Sequence, residues 1–434
     1  MKWYRSRPAS LLAVGAASAL LLTACSSGGG EEPGEGGDDA GSGSVDLSIH
    51  FWGDMGFTQL AEQYEAENPG VTINLVEGEF NAQHEALQQQ LIAGSGAADI
   101  VAIDEGFIVQ FREQADKFVN LNDFGAADLE DRYLPWKWQQ SLSPDGTTQI
   151  GLGTDVGGQA MCYRHDLFAA AGLPSDRDEV SALWDDEGWE GFIAAGETYV
   201  ANSGKKFIDN ATQIFNPILA QQENNFFSAD EELTMEPGPK KAFELTEDII
   251  DAGLSANIAA WSDEWNAGFA NDAFAVLGCP AWMTGHIRNQ APDKAGLWDI
   301  AAIPGGGGNW GGSFLTLPAQ GENHEEAYKL MTWLLEPEQQ IAVFENVGNL
   351  PSQPALYDDP KIQERTDEFF NNAPTGQIFS ATALALEPQY LGKRNGPVRV
   401  AVENVLNDIQ AGNIQTGSEA WDRAVSEAEA AAQG

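Results

Sequence analysis

The chain is 434 residues long and 43% hydrophobic, which is enough for two or three globular domains with a sizeable core. Its 66 acidic residues outnumber its 22 basic residues and give a formal net charge of −44 at pH 7. Nucleic acids and acidic membranes repel such a polyanion, which argues against a DNA or RNA partner; a solvated acidic surface accounts for the charge.

The first 25 residues have the composition of an export signal. Lys2, Arg5 and Arg7 precede the apolar stretch 11–22, which is too short to span a bilayer comfortably as a mature helix. The stretch ends in LTAC, where Cys25 follows small residues as in a bacterial lipobox. We therefore predict cleavage before Cys25, lipidation of its thiol and a membrane anchor. The alternative is an ordinary signal peptide in which this cysteine occurs by chance.

Residues 26–44 read SSGGGEEPGEGGDDAGSGS. Glycine, serine and like charges cannot form a core, so this composition predicts a flexible acidic tether that spans about 25 Å. No other segment of the sequence is predicted to cross a membrane.

The next hundred residues alternate strand and helix patterns. Alternating apolar residues predict strands over 45–51 and 71–75, and a fully apolar run predicts a third over 99–103. Helical patterns over 58–68 and 83–93 separate them. This β-α-β-α-β order predicts a parallel sheet with helices on both faces, in which ligands lie beyond the carboxyl ends of the strands.

Three extended stretches later in the chain predict passages between two lobes. They are the glycine-rich run 149–163, the stretch between predicted strands 298–303 and 313–317, and the NLPSQP segment at 349–354. A helix is predicted over 328–346. We expect an α/β fold of two hinged lobes around a ligand cleft. The predicted N-terminal lobe comprises 45–153 and 308–348, and the predicted C-terminal lobe comprises 154–307 and 349–434.

Besides Cys25, the chain has two cysteines. Cys162 and Cys279 both lie in apolar, strand-like stretches. Outside the cytoplasm an even pair favours one disulfide, although spacing alone does not decide between a bridge and two buried thiols.

The stretch IPGGGGNWGGSF at 303–314 contains G-x-G-x-x-G, the spacing that brings a backbone close to a pyrophosphate. That fingerprint needs a helix after the glycines, whereas SFLTLP is a strand pattern, and no lysine completes a Walker A motif. We therefore reject a nucleotide site and interpret the glycines, with Trp310 among them, as a hinge or cleft wall.

Several stretches, in order, carry a resemblance to a known family. They are AENPGVTINL, LIAGSGAADIVAID, CYRHDLFAAAGLP, AFAVLGCPAWMTG and GGNWGGSF, together with the lipobox and the acidic tether. The chain resembles the carbohydrate-binding lipoproteins of ABC importers (solute-binding family 1) over nearly its whole mature length. TDVGGQAMCYRHDLF, SDEW, NWGGSF and NAPTGQIF look most like the branch that binds cellobiose and cello-oligosaccharides; similar relatives bind xylo- or manno-oligosaccharides.

The resemblance implies an oligosaccharide ligand, delivery to the transmembrane permease subunits of an ABC importer, no cofactor and no metal. It implies a monomer on the extracytoplasmic face of the membrane.

A pyranose has apolar C–H faces and a rim of hydroxyls, so its site needs aromatic platforms and fixed polar groups. The resemblance places a stacking aromatic at Trp282, and Trp310 lies in a predicted crossing. Trp261 and Trp265 flank Asp263, and for both the core is an equal alternative. The polar candidates that follow strand ends or lie at a crossing are Asp104, Asp54, Glu79 and Asp155, and the last could instead brace the hinge. Arg394 resembles a late basic residue of the family that reaches the cleft; the surface is an equal alternative.

Two rival functions, a glycoside hydrolase and a binding protein for a metal or small anion, lack support in the sequence. A glycoside hydrolase needs two carboxylates about 5 to 10 Å apart, and 66 acidic residues supply such pairs by chance. The sequence has no H-E-x-x-H or G-x-S-x-G motif, and its five histidines are scattered, so we predict no enzymatic activity. Clusters of metal ligands are absent from the sequence, and the supply of aromatic residues favours a sugar over a small anion.

Overall fold

The computed structural model describes residues 44–433. Cys25 and the predicted tether therefore lie outside the described residues, except for Ser44, and lipidation stays a prediction. None of the helices in this range has the length and hydrophobicity that a transmembrane span requires.

The strands of the described chain are β1 (Val45–Trp52), β2 (Val71–Gly78), β3 (Ile100–Asp104), β4 (Gly151–Gly153), β5 (Asp155–Val156), β6 (Gln159–Arg164), β7 (Val276–Pro280), β8 (Trp298–Ala301), β9 (Ser313–Thr316) and β10 (Leu350–Pro351). Its α-helices are α1 (Phe57–Glu67), α2 (Phe80–Ala93), α3 (Glu105–Phe111), α4 (Pro135–Gln140), α5 (His165–Ala170), α6 (Arg177–Ser181), α7 (Gly188–Ser203), α8 (Ala211–Ala220), α9 (Gly238–Asp251), α10 (Asp263–Asn271), α11 (Met283–Gln290), α12 (His324–Leu334), α13 (Pro337–Val347), α14 (Pro360–Gln363), α15 (Thr375–Leu384), α16 (Asn395–Gln410) and α17 (Ser418–Gln433).

The first lobe is built on a five-stranded sheet in the order β2-β1-β3-β9-β4. β1 pairs in parallel with β2 and β3, whereas β9 runs antiparallel to β3 and β4. Because side chains alternate across a strand, β3 contributes to two cores: Ala102 packs on the face with α1 and α12, and Ile103 packs on the face with α2. The β-α-β-α-β start predicted from the sequence is confirmed.

The second lobe is built on a three-stranded antiparallel sheet in the order β7-β6-β8. Its two faces also carry separate cores. Met161 and Tyr163 of β6 contact one of them, and Ala160 and Cys162 contact the other. Cys162 and Cys279, on the neighbouring strands β6 and β7, are joined by a disulfide with their Cα atoms 5.3 Å apart.

Three segments join the two sheets. The chain passes from β4 through β5 to β6, returns from β8 to β9, and leaves α13 through β10, which pairs with β5. The three passages follow the extended stretches that the sequence indicated, and the fold is the predicted two-lobe α/β arrangement. The residue limits assigned to each lobe stay a prediction.

One predicted helix is wrong in extent. The pattern over 328–346 belongs to two helices, α12 and α13, and Leu335 and Glu336 lie between them. The break follows from Pro337, which lacks an N–H donor and disfavours helical backbone at the preceding residue. Glu336 accordingly has extended backbone with φ −69° and ψ 153°.

Candidate functional site

Three of the predicted tryptophans come together, and we call Trp261, Trp282 and Trp310 the tryptophan cluster. The ring centroids of Trp282 and Trp310 are 5.3 Å apart with an edge-to-face orientation. Trp261 lies nearly parallel to Trp282 at 5.9 Å and edge-on to Trp310 at 6.4 Å. The cluster unites residues that lie up to 49 positions apart in the sequence.

Backbone contacts at the second crossing hold the cluster in place. Trp282 follows β7 directly before α11, and its indole Nε1 donates a hydrogen bond to the carbonyl of Trp310 at 3.0 Å. The N–H of Trp310 donates to the carbonyl of Gly157 in the first crossing at 2.8 Å. A Cβ on Gly157 would lie 1.9 Å from the Trp310 carbonyl oxygen, so this approach requires glycine.

Trp261 presents its ring to solvent. It is 54% exposed, and its φ of +67° is unusual for a bulky residue. Ser262 caps the start of α10 immediately afterwards, where its hydroxyl accepts a hydrogen bond from the N–H of Trp265. The start of the helix thus fixes an exposed indole beside Trp282, an arrangement suited to stacking a flat ligand.

Trp265 does not belong to the exposed cluster. It is 0% exposed, and its Nε1 donates to the carboxylate of Asp209 at 2.7 Å. His286 stacks on it with centroids 5.1 Å apart and also contacts Trp261 edge-on. Burial lowers the pKa of His286 to about 4, so its ring is neutral near pH 7. Trp265 is therefore a core residue that packs against Trp261. Its selection as a ligand contact is wrong, because a buried indole cannot reach a ligand.

Asp104 reaches the cluster from the first lobe. It ends β3, and its Oδ1 accepts a hydrogen bond from the N–H of Gly106 at the start of α3. A Cβ on Gly311 would lie 3.5 Å from the Oδ2 of Asp104 and 3.5 Å from the Nε1 of Trp282. The two groups therefore border the same position. Desolvation raises the pKa of Asp104 to about 6, although Lys137 and Arg399 oppose the shift.

His84 positions the backbone of Asp104. Its Nε2 accepts a hydrogen bond from the N–H of Asp104 at 3.0 Å, which assigns the proton to Nδ1, where it is donated to the carbonyl of Phe80. Burial lowers the pKa of His84 to about 4. Its ring stacks on Phe107 and packs against Trp52 at the end of β1. The end of the sheet is thereby lined with aromatic rings beside a carboxylate.

Glu105 and Asn309 are further candidates that the sequence reasoning did not select. The side-chain amide of Asn309 donates to the Glu105 carboxylate, and the Glu105 N–H donates to the carbonyl of Gly312 at 3.0 Å. Desolvation raises the pKa of Glu105 to about 7. Both residues adjoin selected ones, Asp104 and Trp310, so the rule that ligands lie at strand ends and crossings could have found them.

Asp155 braces the hinge, which was the alternative left open for it. It is buried in β5, and its Oδ1 accepts hydrogen bonds from the Ser313 N–H at 2.9 Å and the Thr154 hydroxyl at 2.6 Å. These bonds connect the first crossing to the start of β9.

The three exposed acidic candidates lie at helix starts. Asp54 accepts from the N–H of Gly56 just before α1, and Glu79 caps α2 by accepting from the N–H of Ala82 at 2.8 Å. Asp263 is the first residue of α10, two positions from Trp261. Glu79 and Asp263 stabilise the starts of their helices, whereas Asp54 stabilises the turn before α1, and all three side chains are exposed to solvent.

Arg394 faces away from the site, which corrects its selection. Its guanidinium donates to the carbonyl of Ala431 at 2.7 and 3.1 Å and so stabilises the C-terminal end of α17. Arg399, five residues later in α16, takes the place expected for Arg394. Its Nη2 lies 4.0 Å from the position of a Cβ on Gly106, and its charge opposes the raised pKa values of Asp104 and Glu105.

The site carries no signature of a metal or nucleotide. In residues 44–433 no three histidine, cysteine, aspartate or glutamate side chains form a group that could hold a metal ion. The G-x-G-x-x-G stretch leads into β9 rather than into a helix, as the sequence indicated.

Comparisons with known proteins agree on one family. The pattern of the family described as "Bacterial extracellular solute-binding protein" matches residues 59–371. A crystal structure titled "Extracellular solute-binding protein family 1" is 38% identical, with a TM-score of 0.80 over 89% of this chain and 100% of that chain.

More distant relatives have names that specify sugars. The arabinooligosaccharide-binding protein of Bacillus subtilis is 24% identical over 88% of this chain and 92% of its own length. An ABC-transporter-associated binding protein from B. animalis subsp. lactis Bl-04, in complex with β-1,6-galactobiose, is 20% identical with a TM-score of 0.75 over 89% of this chain and 96% of that chain.

Proposed function

The chain belongs to the bacterial extracellular solute-binding proteins, and on this premise we propose that it captures an oligosaccharide outside the cytoplasm and delivers it to the permease of an ABC importer. The observation that carries the proposal is the exposed Trp261, which stacks on Trp282 and meets Trp310 edge-on, with Asp104 of the opposite lobe and Trp282 both bordering Gly311.

The chemistry of these groups suits a neutral sugar. The indole faces match the apolar C–H face of a pyranose, and the carboxylates of Asp104 and Glu105 accept hydrogen bonds from its hydroxyls. The carboxylates of Asp104, Glu105 and Asp155 outnumber the two cations among them, Lys137 and Arg399, so we expect the site to disfavour acidic sugars such as uronates.

The ligand class rests on the relatives and on the resemblance of the sequence. Relatives named for arabino-oligosaccharides, lactose and β-1,6-galactobiose support a short oligosaccharide. We propose cellobiose or cello-oligosaccharides, with xylo- and manno-oligosaccharides as alternatives. We further propose that Cys25 is lipidated and that the protein acts as a monomer anchored to the extracytoplasmic face of the membrane.

A tryptophan-fluorescence titration of the protein from residue 26 onwards tests the function. Cellobiose, cellotriose, xylobiose, mannobiose and maltose are added in turn, and we expect a saturable change with one β-linked series. Chromatography should recover the bound sugar unchanged, whereas cleavage products would favour a hydrolase. If a folded sample responds to none of the sugars, the proposed ligand class is wrong.

A further inference from the structure

Lys137 is a buried cation close to the proposed site. It lies in the short helix α4 and is 0% exposed, although lysine is among the residues least often buried. Within residues 44–433 its Nζ has no hydrogen-bond partner. The ammonium lies 3.9 Å from the centroid of the Phe314 ring, which offers a cation–π contact and no charge.

Two glycines of the crossings leave the space that Lys137 occupies. A Cβ on Gly312 would lie 2.9 Å from its Nζ, and a Cβ on Gly153 would lie 3.0 Å from its Cε. Both approaches are shorter than contacts that a real Cβ makes comfortably, so these backbones are shaped around the lysine.

All three crossings meet around this side chain. Ser352, after β10, donates its hydroxyl to the carbonyl of Gly153 at 2.7 Å, and its own carbonyl accepts from the N–H of Leu134 beside α4. The first crossing contributes Gly153, the second contributes Gly312, and the third contributes Ser352. Lys137 therefore lies where the lobes are joined.

The charges that face Lys137 belong to the site. Gly312, whose Cβ position lies 2.9 Å from the Lys137 Nζ, accepts a hydrogen bond from the Glu105 N–H at 3.0 Å, and a Cβ on the adjoining Gly311 would lie 3.5 Å from the Asp104 Oδ2. Desolvation lowers the pKa of Lys137, and the charges of Glu105, Asp155 and Asp104 oppose that shift. Arg399 of α16 is the other cation that acts on Asp104 and Glu105, and Asn309 donates to Glu105. His84, which is neutral, contacts Asp104 through the backbone N–H.

We propose that Lys137 is a positioning residue whose buried ammonium keeps Asp104 and Glu105 ionised, so that they accept hydrogen bonds from the ligand and set the lower pH limit of binding. The inference rests on the proposed function for its ligand. Two adjacent carboxylates in a desolvated site repel each other, and a nearby cation without a hydrogen-bond partner of its own offsets both effects, together with Arg399 and the hydrogen bonds from Gly106 and Asn309.

The direction of the pH effect follows from the raised pKa values. As the pH falls through about 7 and then about 6, Glu105 and Asp104 take up protons and lose their charge. Charge-assisted hydrogen bonds then become neutral ones, which are roughly half as strong. Removing the positive charge of Lys137 raises both pKa values further, so the same loss begins at a higher pH.

The test compares Lys137→Met with Lys329→Met, which removes the same charge from the exposed surface of α12. The first readout needs no ligand: tryptophan fluorescence of each unliganded protein from pH 5 to 9, since the Asp104 carboxylate lies near Trp282. We expect the midpoint of the fluorescence titration of Lys137→Met to lie at least one pH unit above that of the wild type, which is a tenfold change in proton affinity. The titration curve of Lys329→Met should superimpose on that of the wild type.

The second readout is the affinity for cellobiose at pH 6 and pH 8. We expect Lys137→Met to lose roughly threefold more affinity than the wild type between these values. Lys137→Arg should restore the wild-type profile. If the wild type binds no cellobiose, the proposed ligand is wrong, while the unliganded titration still decides the role of Lys137.

If folded Lys137→Met has the same fluorescence midpoint as the wild type, the inference is wrong. Thermal unfolding followed by circular dichroism establishes folding, and Lys137→Gln replaces the methionine variant if that variant does not fold. If neither variant folds, Lys137 is required for the fold itself, and the assigned role is wrong.

Discussion

At the scale of single residues, Trp261 and Trp265 have opposite environments although they lie four positions apart. Trp261 is 54% exposed and packs beside Trp282, whereas Trp265 is buried and bonded to Asp209. The serine that caps α10, Ser262, separates the two environments: Trp261 before the cap points outward, and Trp265 in the first turn of the helix points into the core.

We expect Trp261→Ala to weaken sugar binding by roughly 5- to 30-fold, since the loss of one aromatic stacking surface costs about 1–2 kcal/mol. The melting temperature should change little because the side chain is largely exposed. Isothermal titration calorimetry and thermal unfolding measure the two effects.

Trp265→Phe is the matched control for Trp261→Ala. It leaves the buried Asp209 carboxylate without its indole donor, so we expect a loss of about 1–3 kcal/mol in unfolding free energy with unchanged affinity. Equal affinities for Trp261→Ala and the wild type would remove Trp261 from the site.

At the scale of secondary-structure elements, the second lobe depends on the pairing of β6 with β7. These strands are separated by a long stretch of helices, and the bridge between Cys162 and Cys279 closes a loop with a sequence separation of 117 residues. A cross-link over so long a loop restricts the unfolded chain strongly.

We expect the intact mass of the exported protein under non-reducing conditions to be two hydrogens below the value for free thiols. Its unfolding free energy should fall by about 2–4 kcal/mol when both cysteines are replaced by alanine. Reaction of both thiols with a thiol reagent in the native protein would contradict the bridge.

At the scale of the whole molecule, two lobes connected by three crossings meet at one aromatic and acidic site. Asp104 comes from the first lobe, and Trp282 follows β7 in the second, so a ligand between them contacts both. Such a ligand favours a closed arrangement by the difference between its affinities for the closed and open states.

Small-angle X-ray scattering should therefore show a smaller radius of gyration at saturating concentrations of the sugar identified by fluorescence. A sugar from the same panel that gives no fluorescence response serves as the control and should leave the scattering curve unchanged. An unchanged curve with the bound sugar would refute closure.

Local patterns in the sequence determined the first three strands, the two helices between them and the three crossings. Periodicity and turn residues act over a few positions, so they can be recognised without the fold. The same reasoning selected Trp310 and Asp104, because one lies in a crossing and the other follows a strand, whereas Trp282 was selected from the family resemblance. The break before α13 was also encoded locally, by Pro337, although the helical pattern on both sides concealed it.

Only the tertiary structure decided which polar and aromatic residues face the site. Arg394 and Arg399 lie close together in the sequence, yet one bonds to α17 and the other faces Asp104. Lys137 lies between Trp136 and Trp138 in the sequence, and the glycines of two distant crossings make room for its buried side chain. Exposure and charge environment depend on contacts between segments far apart in the chain, and local composition does not specify those contacts.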